Sequence, residues 1–84
     1  MRTIPKKLRI KTFGITREIL GGRETTIEFT GSTVGELRTQ LLSGYPRLAA
    51  LRSLMVAVNN AYADDGQLLN EQDEIALIPP VSGG

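Results

Sequence analysis

The sequence ends in Ile75-Ala76-Leu77-Ile78-Pro79-Pro80-Val81-Ser82-Gly83-Gly84, an apolar run followed by two prolines and, two residues later, a diglycine. Proline has a fixed φ and no backbone donor, so Pro79-Pro80 ends a predicted strand over residues 75–78 and stiffens its exit. The glycines lack side chains, so the chain leaves as a thin arm. Fully stretched, residues 79–84, here called the C-terminal arm, span about 20 Å at roughly 3.3–3.6 Å per residue. The rest of the sequence is predicted to be a scaffold that presents this arm.

The end of the arm has its own predicted chemistry. We expect Gly84 to carry a free carboxylate, whose pKa of about 3.3–3.7 leaves it ionised and a poor acylating group at neutral pH. Attack of this carboxylate on the α-phosphate of ATP would give an acyl-adenylate, which a sulfur or amine nucleophile can open. A frayed terminus is the other interpretation, because glycine is common at disordered ends. A second diglycine, Gly21-Gly22, is predicted to be a helix stop or turn.

The composition indicates one small globular domain without the usual catalytic side chains. The 84 residues are 40% hydrophobic and 23% charged, which is typical of globular chains. Cysteine and histidine are both absent. Disulfides, thiolate metal sites and the commonest bases and nucleophiles are therefore excluded, so the chain is not expected to be an enzyme on its own. The apolar runs are too short to span a bilayer and no signal segment is present, so we expect a cytoplasmic protein.

Charge is segregated along the chain, although the formal net charge is only +1. Seven of the ten basic residues lie within residues 1–23, whereas residues 53–84 carry five acidic residues and no basic one. This asymmetry indicates charged partner surfaces. Charge complementarity between neighbouring strands of the fold is the other interpretation. A nucleic-acid role is not favoured, because no aromatic platform accompanies the basic run over residues 6–11.

Periodicity predicts two strands in the first third of the chain. Apolar residues alternate with basic residues over 7–13, which predicts a half-buried strand with a basic outer face. Residues 15–20 favour one or two helical turns. A second strand is predicted over residues 24–29. The connection between these strands is therefore a long hairpin.

The main helix is predicted to begin at a capping box. Thr33 and Glu36 have the spacing at which each side chain bonds the other residue's backbone amide. Apolar residues follow at helical spacing, and Gly44 with Pro46 supplies a stop. Gly35 costs this helix about 1 kcal/mol relative to alanine, which suggests a close approach between the helix and the sheet.

The second half of the chain supplies the remaining strands. Residues 45–51 are expected to form an irregular or single-turn segment. The apolar run 54–58 predicts a central strand that ends at the turn Asn59-Asn60. A very short strand is predicted over 61–63, and Leu68-Leu69 is expected to return to the core. With the last strand, this order predicts an α+β fold in which one main helix crosses a mixed sheet of about five strands.

The order of elements resembles the β-grasp, or ubiquitin-like, fold, in which the first and last strands are parallel at the sheet centre and the C-terminus leaves as an arm. Several stretches resemble the small subunit of molybdopterin synthase more specifically: Phe13 with Arg17-Glu18 and Gly21, Thr33–Leu37, Val56–Asn59, Asp73–Ala76 and Pro79–Gly84. The last stretch is the most specific, since thiazole-forming sulfur carriers usually lack its two prolines. Gln72 and Leu77-Ile78 depart from the family pattern, which commonly has glycine and aromatic residues there.

The resemblance implies a function for the arm. An activating enzyme of the ubiquitin-activating type would adenylate Gly84 with ATP and magnesium, and a sulfur donor would convert the adenylate into a thiocarboxylate. The arm would then enter the large synthase subunit and give sulfur to a pyranopterin precursor, and two transfers would build the dithiolene of molybdopterin. The large subunit would supply the catalytic residues, in a heterotetramer, and this chain would bind no cofactor or metal itself.

The resemblance also assigns roles to individual residues. Gly84 would carry the acyl-adenylate and the sulfur, and Gly83 would permit passage through a narrow channel. The other arm residues would set its direction and its docking: Pro79, Pro80, Val81 and Ser82. Ile78 and Tyr62 are candidate docking residues near the base of the arm, with ordinary edge or core packing as the alternative.

The sequence predicts a single domain over residues 1–84, with a leader at 1–6 and a flexible functional tail at 79–84. Two other functions stay open. One is a sulfur carrier or ubiquitin-like modifier of another pathway, such as thiazole, cysteine or tRNA thiolation. The other is a non-covalent interaction domain with an inert glycine end. A modifier ends joined to a lysine amine, whereas a carrier returns to its starting mass after losing sulfur.

Overall fold

This computed structural model describes residues 5–51 and 54–79. They contain five strands and three helices, joined by turns and loops. The strands are β1 Lys6–Thr12, β2 Glu24–Phe29, β3 Met55–Val58, β4 Ala61–Tyr62 and β5 Ile75–Ile78. The helices are α1 Ile15–Leu20, α2 Val34–Gly44 and α3 Pro46–Ala49. Within these residues no helix is both long and apolar enough to cross a membrane.

The strands form one mixed sheet in the order β2-β1-β5-β3-β4. β1 and β5 are parallel, and the other neighbouring pairs are antiparallel. The first and last strands therefore lie side by side inside the sheet, as the β-grasp resemblance implied. The middle position belongs to β5, and β3, predicted as the central strand, lies one place from the edge. The outward side chains of β3 are apolar without all being buried, since Met55 is 42% exposed. A continuous apolar run therefore does not by itself indicate a strand that is covered on both faces.

One face of the sheet, here called the inner face, packs against the helices. Its fully buried side chains alternate along the strands with outward ones, because successive side chains of a strand point to opposite faces. The core includes Leu8, Ile10, Val56, Ile75 and Leu77 from the sheet, each at 0% exposure. Helix α2 contributes Val34, Leu37 and Leu41, and the single turn α3 contributes Leu48.

The predicted capping box is confirmed at the start of α2. The Thr33 hydroxyl accepts a hydrogen bond from Glu36 N at 3.3 Å, and Glu36 Oε1 accepts from Thr33 N at 3.1 Å. The same carboxylate accepts from Ser32 N at 2.9 Å. These amide donors, Ser32 first, hold the pKa of Glu36 below its ordinary value because they bond the ionised form.

Two expectations about packing were wrong in detail. Leu68 is 68% exposed, whereas its neighbour Leu69 is 1% exposed. Leu68 pairs with Thr33 in an isolated bridge, and adjacent side chains of such an extended segment point in opposite directions. Gly35 does allow a close approach, but to a loop: an added Cβ would lie 3.0 Å from Asp65 Cβ, and Gly35 N donates to Asp65 O at 2.8 Å.

Candidate functional site at the base of the C-terminal arm

Strand β5 fixes the direction in which the arm leaves the body. It pairs with β1 on one side and β3 on the other, so Leu77 lies opposite both Thr12 and Val56. Ile78 lies opposite Met55. Because both edges of β5 are bonded, its last residues have little freedom to shift or tilt. The arm therefore starts from a fixed point.

Pro79, the first arm residue, rests on the turn between β1 and α1. A Cβ added to Gly14 would lie 3.3 Å from Pro79 Cγ, which is closer than ordinary van der Waals contact. Gly14 also has φ +56 and ψ −131, a conformation that disfavours any residue with a side chain. Because Gly14 has no side chain, it can adopt the positive φ of this turn and can also contact Pro79 closely.

The same turn holds Phe13 in an outward position. The buried Thr16 hydroxyl donates to Phe13 O at 2.6 Å and accepts from Phe13 N at 2.9 Å. The Thr12 hydroxyl, also buried, donates to Gly22 O. Both buried hydroxyls are therefore satisfied, and the turn is closed by side-chain as well as backbone bonds. Sequence reasoning missed this role of Thr16.

An apolar groove of about 440 Å³ lies on the outer face of the sheet, the face opposite the helices, directly beside the base of the arm. Its floor consists of Ala57 and Ala76, which lie opposite one another in β3 and β5. Larger side chains rise around these alanines, and the groove is lined by Lys11, Phe13, Asn60, Ala61, Tyr62, Glu74 and Ile78 as well. Small residues in the middle of a sheet face with larger ones around them produce such a depression.

Three large apolar side chains on this side of the sheet are exposed. Tyr62 is 68% exposed, Phe13 43% and Met55 42%. Clustered exposed apolar side chains typically mark a surface that another molecule covers. Tyr62 and Ile78, the docking candidates from the sequence, both line the groove, and the exposure of Tyr62 argues against core packing. Phe13 was missed as a site residue. It continues the series of every second residue begun by Lys7, Arg9 and Lys11, and this series predicts that it lies on the outer face.

An ion pair and an asparagine anchor the start of β5. Lys11 Nζ lies 2.6 Å from Glu74 Oε2, and this hydrogen bond and charge hold the pKa of Glu74 below its ordinary value. Asn59, with φ +53, accepts from Glu74 N at 2.9 Å and donates to Asp73 Oδ1 at 3.0 Å. Basic β1 and the acidic segment before β5 thus complement each other in charge at this point, as one of the two interpretations of the asymmetry predicted.

Comparison with known proteins identifies the family. The sequence matches the family described as the ThiS family over residues 10–84, a span that includes the whole arm. This chain belongs to the ThiS family. The molybdopterin synthase sulfur carrier subunit of Caenorhabditis briggsae, one such relative, is 40% identical over 81 residues, which cover 92% of this chain and 96% of the relative. The resemblance to the molybdopterin synthase small subunit is therefore confirmed.

Solved structures of similar proteins have the same fold as this ThiS-family chain. SAMP1, small archaeal modifier protein 1, from Haloferax volcanii matches with a TM-score of 0.74 and 30% identity, over 93% of this chain and 99% of that one. A chain from the complex of subunits 1 and 2 of the molybdopterin-converting factor of Helicobacter pylori matches with a TM-score of 0.61 and 26% identity, over 93% and 99%. The β-grasp assignment is thereby confirmed.

The structure brings part of the predicted site together. Pro79, Ile78 and Tyr62 surround the point at which the arm leaves the sheet. The remaining predicted site residues lie outside the described residues: Pro80, Val81, Ser82, Gly83 and Gly84. Their roles, and the docking roles of Ile78 and Tyr62, stay predictions.

Proposed function

We propose that this chain is the sulfur carrier subunit of a molybdopterin synthase, with the Gly84 carboxylate as the group that carries sulfur. The way in which the sheet holds the first residue of the arm supports this proposal. A strand bonded on both edges ends at Pro79, which is seated on Gly14 beside an exposed apolar groove. The family match extends from this body through the arm to residue 84.

The reaction at Gly84 has two stages. A carboxylate oxygen attacks the α-phosphate of ATP, pyrophosphate leaves, and an acyl-adenylate forms. A sulfur nucleophile then attacks the acyl carbon, AMP leaves, and the terminal group becomes a thiocarboxylate. The activating enzyme holds the ATP and magnesium. This chain contributes the acyl group on an unhindered arm, and we propose that it acts in the cytoplasm, where ATP is available.

The thiocarboxylate then delivers its sulfur within the large subunit. Its sulfur attacks a carbon of the pyranopterin precursor, the carbon–oxygen bond at that carbon breaks, and a thioester joins the two molecules. Water then attacks the acyl carbon, the acyl carbon–sulfur bond breaks, the sulfur stays on the precursor, and Gly84 returns to a carboxylate. The sequence has no histidine or cysteine, which supports placing the catalytic residues in the large subunit. The groove around Tyr62, Phe13 and Ile78 is the docking surface that holds the large subunit while the arm is inserted. Two copies of each subunit form the assembly.

The intact mass of the chain tests the first stage. After incubation with its activating enzyme, ATP, magnesium and a sulfide source, we expect a mass gain equal to the exchange of one oxygen for one sulfur. A variant that lacks Gly84, and one that carries an extra residue after it, should show no gain. If the natural sequence gains no sulfur while a known carrier reacts in the same mixture, the proposal is wrong.

A second candidate function is a protein modifier. The similarity to SAMP1, at 30% identity across nearly the whole of both chains, favours it specifically. As a modifier, activated Gly84 would form an amide with a lysine amine of another protein and would stay attached. Mass spectrometry of conjugates from cells that express a tagged chain separates the two: stable lysine adducts that depend on Gly84 support the modifier, and their absence leaves the carrier.

A further inference from the structure

A second cavity adjoins the apolar groove on the other side of Phe13. It has a volume of about 360 Å³ and is lined by Lys11, Thr12, Phe13, Arg17, Arg23 and Glu24. Lys11 and Phe13 line both cavities, so they form the shared wall. The residue after Phe13 is Gly14, on which Pro79 rests. A protein that encloses the base of the arm must therefore approach both cavities.

Three cations line this second cavity, here called the basic pocket, and two of them form no salt bridge within the described residues. Lys11 is paired with Glu74. Within residues 5–51 and 54–79 the only other salt bridge joins Arg38 to Asp65. The exposed Arg17 and Arg23 thus have no carboxylate at ion-pair distance there, although Glu24 lines the same pocket.

The two interpretations of the charge asymmetry therefore apply to different residues. The charge of Lys11 is satisfied inside the fold, as complementary strands would predict. Arg17 and Arg23 have no salt bridge among the described residues, so their charges are accessible to another molecule, as a charged partner surface would require. Their position matters because a partner seated on Phe13 would remove water from both guanidinium groups. A desolvated guanidinium without a carboxylate is costly, and one with a carboxylate can form two parallel hydrogen bonds.

We infer that the large subunit that receives the arm carries carboxylate side chains that bind Arg17 and Arg23, next to the apolar side chains that fill the groove. This inference rests on the proposed function, because it names the large subunit as the occupant. The apolar groove supplies contact area, and the basic pocket sets orientation and steers the encounter. Steering of this kind raises the association rate and weakens as salt screens the charges.

The test measures the association rate of the purified chain with the large subunit from the same organism at two salt concentrations. For Arg17→Glu combined with Arg23→Glu, we expect the rate to fall about tenfold or more at roughly 50 mM salt, and to lie within about twofold of the natural chain at roughly 500 mM. Each single variant, Arg17→Glu and Arg23→Glu, is also measured beside Arg47→Glu on α3, which makes the same charge change at a residue that lines neither cavity. Arg47→Glu should stay within about twofold at both concentrations.

Controls separate folding from recognition. Thermal unfolding shows whether each variant is folded, and the milder pair Arg17→Gln and Arg23→Gln, which should give a smaller loss in the same direction, replaces the glutamate pair if that pair unfolds. An unchanged rate and salt dependence in a folded double variant, or an equal loss in Arg47→Glu, overturns the inference and leaves the proposed function intact. Failure of the natural chain to bind the large subunit overturns both.

Discussion

The inner and outer faces of the sheet are made by the same strands and differ in what covers them. On the inner face, Ile75 and Leu77 of β5 are fully buried under the helices. On the outer face, Ala76 and Ile78 of the same strand line an open groove beside Tyr62. Because successive side chains of a strand point to opposite faces of the sheet, β5 contributes residues to both faces. We therefore predict that substitutions on the inner face change stability and that substitutions on the outer face change partner binding.

Truncation on the inner face should have the largest effect on stability. Leu77→Ala removes a side chain with 0% exposure from the middle strand, and we expect a loss of about 2–5 kcal/mol in the free energy of unfolding, because a cavity remains in the core. Denaturant titration measures it. A loss below about 1 kcal/mol would mean that the inner face is not the continuous core described above.

Truncation on the outer face should act on binding instead. Tyr62→Ala is expected to weaken the affinity for the large subunit about tenfold, because an exposed aromatic anchor in an apolar groove is lost. Its stability should change by only about 0.5 kcal/mol, since surface substitutions usually do. Calorimetric titration beside denaturant titration checks both values. Unchanged affinity would remove the groove from the interface.

Gly14→Ala should disturb the seat of the arm. The substitution strains the backbone by about 1–3 kcal/mol and places a methyl group against Pro79. Gly21→Ala is the matched control, because Gly21 also has positive φ but an added Cβ would meet nothing within 4 Å. We expect thiocarboxylate formation to slow more in Gly14→Ala than in Gly21→Ala when both are folded. Equal rates would show that the seat does not matter.

The smallest expected effect concerns the capping box, which lies on α2 away from the outer face. The folded state lowers the pKa of Glu36 from its ordinary 4.5, so the stabilisation is present above that value and is lost as pH falls through the folded-state pKa. Glu36→Gln should therefore lower stability at pH 7 and lose less than the natural chain on acidification to about pH 3. Urea midpoints at both pH values test this. Affinity for the large subunit should not change.

Local patterns predicted the elements of this fold well. The bounds of α1, β2 and β5 agree with the structure because period, glycine and proline act over neighbouring residues. The capping box was found for the same reason. The arm was predicted from Pro79-Pro80 and the diglycine, and the family match extends over it to residue 84. Tyr62 and Ile78, the candidate neighbours of its base, both line the groove, and their docking roles stay predictions.

Features that depend on distant segments were not predictable in the same way. The groove needs the register of β3 and β5, which puts Ala57 opposite Ala76. The close approach at Gly35 needs Asp65, 30 residues away in sequence. Leu68 and Leu69 are equally apolar, and only the bridge to Thr33 decides which one is buried. In each case tertiary pairing, and not local preference, determines the outcome.

Sulfur transfer from Gly84 is tested by the mass of the thiocarboxylated chain before and after it is mixed with the large subunit and the pyranopterin precursor. We expect the chain to lose the mass difference between sulfur and oxygen and to return to its starting mass, while a dithiolene product appears. Retention of the sulfur by a chain that binds the large subunit, or recovery of the chain as a stable lysine adduct, would contradict this expectation.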